Sequence, residues 1–412
     1  MLRTGLQISA RSLIVPAPVA GRNIADGIAN LGPLPNNFTN CSVRLAKSFS
    51  AFMLKMPYLL QFYNFKEVLK MKLKLGLFLI GLFAAFFTIA FAPTHAEAGP
   101  VKLSYANFPP APTFPCVQME RWKKEVEKRT NGKIAIDTYP GSTLLGAKNM
   151  MDGVIEGQAD IGCLCMAYQP GRFVITNATS LPLGLPNAKV GSLVLWDIYK
   201  KYNPKAFAKV KVLTMFTTAP ANIMCKKPVR NLQDIKGLDL RASGGAAQIL
   251  KKWGANQVGM PMSETPEALQ KGVVKGLFSS LEVLKDFKFA ELCRYATMTD
   301  TAVYPFAVIM NMDKWNSLPK DVQKVMDDMA VEQAKWTGTY MDNHVNEANE
   351  WSKKTYNVEF IQLAKEEKAK WDELLEPITS EWIKGAKEKG FPAEAIVEDI
   401  KAFAKKRAAS SD

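Results

Sequence analysis

Arg241 is the residue whose type and setting could do chemistry. It ends the run Asp234-Ile-Lys-Gly-Leu-Asp-Leu-Arg241 and is followed by Ala242-Ser-Gly-Gly245. The pattern reads as a turn, a short alternating strand, then a cation meeting small, glycine-rich backbone. A guanidinium there suits capture of a planar anion, because its rigid, paired donors match a carboxylate and it stays charged when desolvated. The glycines would let a ligand approach the backbone closely. An ordinary surface arginine before a turn has the same local pattern. Carboxylate and sulfonate would satisfy one arginine equally.

Other chemistries have less support. The chain has 412 residues and two histidines, His95 and His344. So few make a His-rich metal site or a Ser-His-Asp triad a poor expectation. His344 falls in a polar helical stretch and is expected to be exposed. Cysteines stand at 41, 116, 163, 165, 225 and 293. Cys163 and Cys165 share one face of a predicted strand, where a direct bridge would be strained. They read as small apolar strand residues; a disulfide involving Cys116 is the alternative. There is no phosphate loop. The net charge of +14 divides evenly between residues 1–98 and the far longer remainder. No basic run interleaved with aromatics traces a nucleic-acid backbone. Catalytic residues, metal and cofactor are all expected to be absent.

The elements around Arg241 follow a βα rhythm. Val101–Ala106 alternates as a strand, a proline-rich turn follows, and a helix over about 117–129 closes at Asn131-Gly132. Strands at 133–139 and 159–165 flank a helix near 147–156. The rhythm returns with strands at 210–215, 221–225, 238–241 and 276–279 and helices at 246–253 and 266–271. Two such blocks predict an α/β fold of two lobes sharing a cleft. Trp253 is taken as a packing residue. Residues 319–356 read as one helix, capped by Ser317 with Pro319 in its first turn. It would span on the order of 50 Å, more than one small lobe.

Several segments carry a family resemblance in their order and spacing. They are the Arg241 segment, Met262–Gly276, Gly141–Gly146, Glu156–Gly162, Tyr168–Phe173, Leu181-Pro-Leu and Ser317–Gln323. Together they resemble the DctP-type substrate-binding proteins of tripartite ATP-independent periplasmic (TRAP) transporters, over nearly all of residues 101–405. The resemblance implies a two-lobed periplasmic-binding-protein-like fold with hinge strands and a long lobe-spanning helix. It implies a first lobe of 99–218 with 307–345 and a second of 219–306 with 346–408. It gives Arg241 the ligand's carboxylate and Ser279 a second polar contact, where the family usually has asparagine. Phe278 could join that contact or face the core. Some members carry a second arginine where this chain has Ala221 or Asn222, so a singly charged acid fits better than a dicarboxylate. Asn107, Phe108, Cys165 and Tyr168 would come from the first lobe, Tyr168 as a hydroxyl, a stacking face or packing. Met262 would be an apolar wall.

From Met71 the chain reads as an export signal: Lys72 and Lys74, an apolar run from Leu75 to Ala92, then Ala96-Glu-Ala98. Cleavage would leave a mature start near Gly99; a retained anchor is the alternative. Residues 1–70 read as an upstream extension outside the true start, with a transit peptide as the alternative. The expected function is a monomeric periplasmic receptor that binds a small organic anion for TRAP permease subunits. A sensory or scaffold protein with the same ligand is the first rival. An enzyme on the same scaffold is the second, but Glu264 and Glu282 show no evident partner.

Overall fold

Two mixed sheets, linked by a pair of crossing segments, organise the chain after residue 99. The computed structural model describes residues 65–90 and 99–410. Before that part, Phe65–Ala90 forms one helix that begins ahead of Met71. The cleavage triplet Ala96–Ala98, His95 and Cys41 lie outside the described residues.

The first sheet contains β1 (Val101–Asn107), β2 (Ile134–Tyr139), β3 (Ile161–Cys165), β4 (Val210–Thr217) and β10 (Pro305–Asn311), in the order β2-β1-β3-β10-β4. The second contains β5 (Asn222–Cys225), β6 (Asp239–Arg241), β7 (Asn256–Val258), β8 (Gly276–Ser279), β9 (Tyr295–Met298) and β11 (Glu359–Gln362), in the order β11-β9-β5-β8-β6-β7. The βα units pair parallel, as β1 with β2 and β3, and β6 with β7 and β8. The strands that pass between sheets pair antiparallel. The sheets are therefore mixed, although a βα rhythm by itself favours parallel pairing.

The inner strand β10 reads Pro-Phe-Ala-Val-Ile-Met-Asn and is buried through Met310. A strand covered on both faces loses its polar alternation, so this segment gives no period-two signal. The link β4–β5 (218–221) and the link β9–β10 (299–304) run beside each other. Thr218 N–H donates to Tyr304 C=O at 3.0 Å and Ala221 N–H to Ala302 C=O at 2.7 Å. Two hydrogen-bonded crossings give the hinge a defined axis.

The helix Lys320–Tyr356 has 37 residues and packs along both layers. Ser317 does not cap it. Ser317 ends the preceding helix, Met312–Ser317, and its hydroxyl donates to Lys314 C=O at 2.7 Å; Pro319 occupies the cap position. His344 is also not exposed: only 7% of it is accessible. A polar helical stretch still buries one face when a second element lies against it. Trp253 packs as expected, its indole N–H donating to Trp371 C=O at 3.1 Å. The tail does not stay wholly with the second lobe: its last helix, Ala393–Ala409, fastens onto helix Ala188–Tyr202 beside the first sheet. Arg407 grips Asp197 there through two bonds of 2.7 and 2.8 Å.

Candidate functional site

Arg241 closes β6 between β7 and β8, at the carboxyl ends of parallel strands, where open α/β sheets bind ligands. It is 1% exposed. Its Nε donates to Met260 C=O at 3.0 Å, which also accepts from Ser243 Oγ at 3.0 Å. Its Nη2 donates to the Tyr168 hydroxyl at 3.4 Å, and its Cζ lies 5.9 Å from the Tyr304 ring. No carboxylate among the described residues forms an ion pair with it; Glu264 pairs with Lys148 and Asp286 with His344. A buried guanidinium without a counter-charge is costly and favours an anion beside it.

The guanidinium faces a cleft with about 440 Å³ of space between its atoms, mouth included. Six of the residues proposed from sequence line it: Phe108, Cys165, Tyr168, Arg241, Met262 and Ser279. Tyr168 bridges the lobes, since its hydroxyl also accepts from Met262 N–H at 3.0 Å. The wall between the polar groups is apolar. Phe108 meets Tyr168 edge-on at 5.6 Å, and Phe306 stacks on Phe216 at 5.3 Å with Phe114 edge-on at 5.7 Å.

Asn107 and Phe278 do not join this wall. The Asn107 amide donates to Pro115 C=O at 2.8 Å, bracing the proline-rich turn. The Phe278 ring packs edge-on against Trp253 at 5.3 Å, so its alternative as a core residue is the one observed. Its carbonyl still helps by accepting the Tyr304 hydroxyl at 2.7 Å. The glycines after Arg241 also serve another purpose. Gly244 has φ +58°, and a Cβ there would lie 2.9 Å from Ala167 Cβ, while one at Gly245 would lie 3.3 Å from Ser180 Cβ. They let the first lobe's backbone approach, rather than a ligand. Asn222 accepts from Thr299 and Asp300 N–H at 2.6 and 2.9 Å and braces the hinge.

Sequence reasoning did not find Thr218 and Tyr304, which reach the cleft from the hinge, nor Phe306, Phe114 and Asp286. Glu282, which has no evident partner in the sequence, is buried on the cleft wall and accepts from Ser280 Oγ at 2.8 Å. Burial and the neighbouring Asp286 push its carboxyl up to about 8. Burial likewise pushes the Cys165 thiol and the Tyr304 phenol up to about 12, so both stay protonated near neutrality. The five cysteines among the described residues are buried and unpaired, so no disulfide joins Cys116 to another of them.

Known proteins share this architecture. Residues 109–385 match bacterial extracellular solute-binding protein family 7, DctP. The C4-dicarboxylate-binding periplasmic protein DctP of Rhodobacter capsulatus is 25% identical over 70% of this chain and 88% of its own. A TRAP periplasmic solute-binding protein from Desulfovibrio salexigens is 56% identical over 76% of this chain and 98% of its own, with a TM-score of 0.68. It was solved as an open complex with the C-terminus of a symmetry mate in its ligand site. A marine-metagenome TRAP protein specific for aromatic acids, solved with 3-hydroxybenzoate, is 28% identical over 75% of this chain and 99% of its own, with a TM-score of 0.72. The chain belongs to bacterial extracellular solute-binding protein family 7, the DctP-type receptors of TRAP transporters.

Proposed function

We propose that this protein captures a small, singly charged organic acid between its lobes and delivers it to a TRAP membrane permease. The observation that carries the reading is Arg241, a buried guanidinium with no carboxylate partner among the described residues, facing an apolar cleft between two hinged lobes. An acid with an apolar body fits both halves of that description. Its carboxylate takes the guanidinium, with Tyr168 and Ser279 in support, while Phe108, Met262 and Cys165 border its body. The relatives that bind C4-dicarboxylates and aromatic acids support an acid ligand. The absence of a second arginine and the aromatic wall favour one charge over two.

Members of the family are periplasmic, and the export signal beginning near Met71 would deliver the mature chain there. Closing around the acid would change the surface that a permease reads, because a ligand shifts a conformational equilibrium by its differential affinity for the two forms. Native mass spectrometry of the purified protein would identify a co-purified acid. Arg241→Ala should then abolish thermal stabilisation by that acid while the ligand-free protein stays folded, with a loss of about 2–5 kcal/mol in binding. A variant that binds normally would contradict the assignment.

A further inference from the structure

The cleft has a second polar pole that the arginine does not explain. Glu282 stands three residues beyond the end of β8 and is only 2% exposed on the cleft wall. One carboxyl oxygen, Oε1, accepts from Ser280 Oγ at 2.8 Å; the other, Oε2, is buried with no hydrogen-bond partner among the described residues. Its charged neighbours are Asp286 and His344, not Arg241. Asp286 cannot share its own oxygens easily. Its Oδ1 is 2.6 Å from His344 Nε2 and its Oδ2 accepts from Phe114 N–H at 3.2 Å. Phe108, Phe114, Phe306, Met262 and Val283 supply apolar wall in the same cleft.

We infer that Glu282 is a second anchor for the ligand, selecting acids that carry a hydroxyl group away from the carboxylate. The inference rests on Arg241 holding that carboxylate. A buried oxygen without a partner is costly, and a ligand group that reaches it removes the cost in the bound state alone. Sites built this way reject analogues that lack the group more strongly than apolar pockets reject a missing methylene. A hydroxyl suits the pole because it donates to an ionised carboxylate and accepts from a protonated one. The raised pKa keeps much of Glu282 protonated near neutrality, and Ser280 already donates to Oε1, so the acid proton is available on Oε2.

The test is calorimetric titration with matched acids: benzoate against 3- and 4-hydroxybenzoate, and hexanoate against 6-hydroxyhexanoate. The wild-type protein should bind the best hydroxylated member about tenfold more tightly than its parent. Glu282→Leu should reduce that ratio to below about threefold, whereas Glu282→Gln, which keeps the hydrogen-bonding shape, should retain most of it. If acids bind but the wild type shows no preference, or Glu282→Leu preserves it, the inference fails while the reading of Arg241 stands. If no acid of the panel binds the wild type, that reading fails and the inference falls with it.

Discussion

His344 and Glu282 place two protonation equilibria beside the cleft, and both favour the proton in the folded state. His344 is raised above its ordinary value chiefly by its hydrogen bond to Asp286, against an opposing effect of burial. Glu347, 3.6 Å from His344 Nδ1, and Lys285 complete its charged surroundings, with Tyr340 stacked on the ring. Glu282 is raised from 4.5 to about 8. A group with a higher pKa when folded stabilises fully below its unfolded pKa and loses that contribution as pH rises through the folded one. Stability should therefore fall from about pH 4.5 to 8 through Glu282, with His344 adding to the decline above about 6.5. One such group accounts for at most about 1.4 kcal/mol per pH unit. Surface carboxylates with lowered values, such as Glu332 beside Arg129, are already ionised above pH 5.5 and contribute little slope. Urea denaturation at pH 5.5, 6.5 and 7.5 should show the decline, and Glu282→Gln should flatten it. Equal slopes in the two proteins would remove Glu282 as its source. Arg241 was legible because a strand-end arginine before small residues is a local pattern. Glu282 and His344 were not, because their surroundings come from elements distant in sequence, and no local pattern reports that Asp286 meets a helix almost sixty residues away.

At the level of elements, the long helix depends on one glycine. A Cβ at Gly338 would lie 2.5 Å from Lys189 Cα and 2.7 Å from Ala188 O, at the start of helix Ala188–Tyr202. One turn later, the Asp342 carboxylate accepts Ala188 N–H at 2.7 Å and Lys189 N–H at 3.0 Å. The two positions act together: Gly338 allows the approach, and Asp342 satisfies backbone donors that a helix start leaves open. Gly338→Ala improves helix propensity by about 0.5–1 kcal/mol. It should still destabilise by about 1–3 kcal/mol, because the clash is with backbone that cannot rotate away. A lower urea midpoint would show this; a higher one would mean that the helices separate at no cost. The helix itself was readable because residues 320–356 contain no proline and a single glycine, and it ends at Asn357, which takes φ +53° at the C-cap. Its partner was not, and neither were β10 and β11. The first is apolar up to Met310, and the second is a four-residue edge strand whose partner β9 lies some sixty residues earlier in the chain.

For the whole molecule, the sequence blocks sufficed to predict two lobes, because each βα series needs its own sheet. How the lobes meet depends on the backbone around Arg241. Ala167 lies against Gly244, Ser180 against Gly245, and the Tyr168 hydroxyl bonds Met262 N–H across the cleft. These contacts hold the structure with the lobes together and surround the arginine. If the bound acid favours this arrangement, adding it should reduce the radius of gyration in solution scattering. A larger side chain between the lobes should oppose the change. Gly245 begins helix Gly245–Lys252 without a left-handed backbone. Gly245→Leu thus places its bulk against Ser180 with little strain of its own. It should leave the ligand-free unfolding midpoint near that of wild type, weaken acid binding by about tenfold or more, and keep the scattering radius at the ligand-free value under conditions that saturate the wild type. The weakening follows from population. If the variant raises the free energy of the closed form, apparent affinity falls with the fraction that can close, even though every group touching the acid is intact. Normal affinity together with a normal ligand-induced contraction would show that the glycine contact is not part of closure, and would leave the hinge crossings at 218–221 and 299–304 as the place to look.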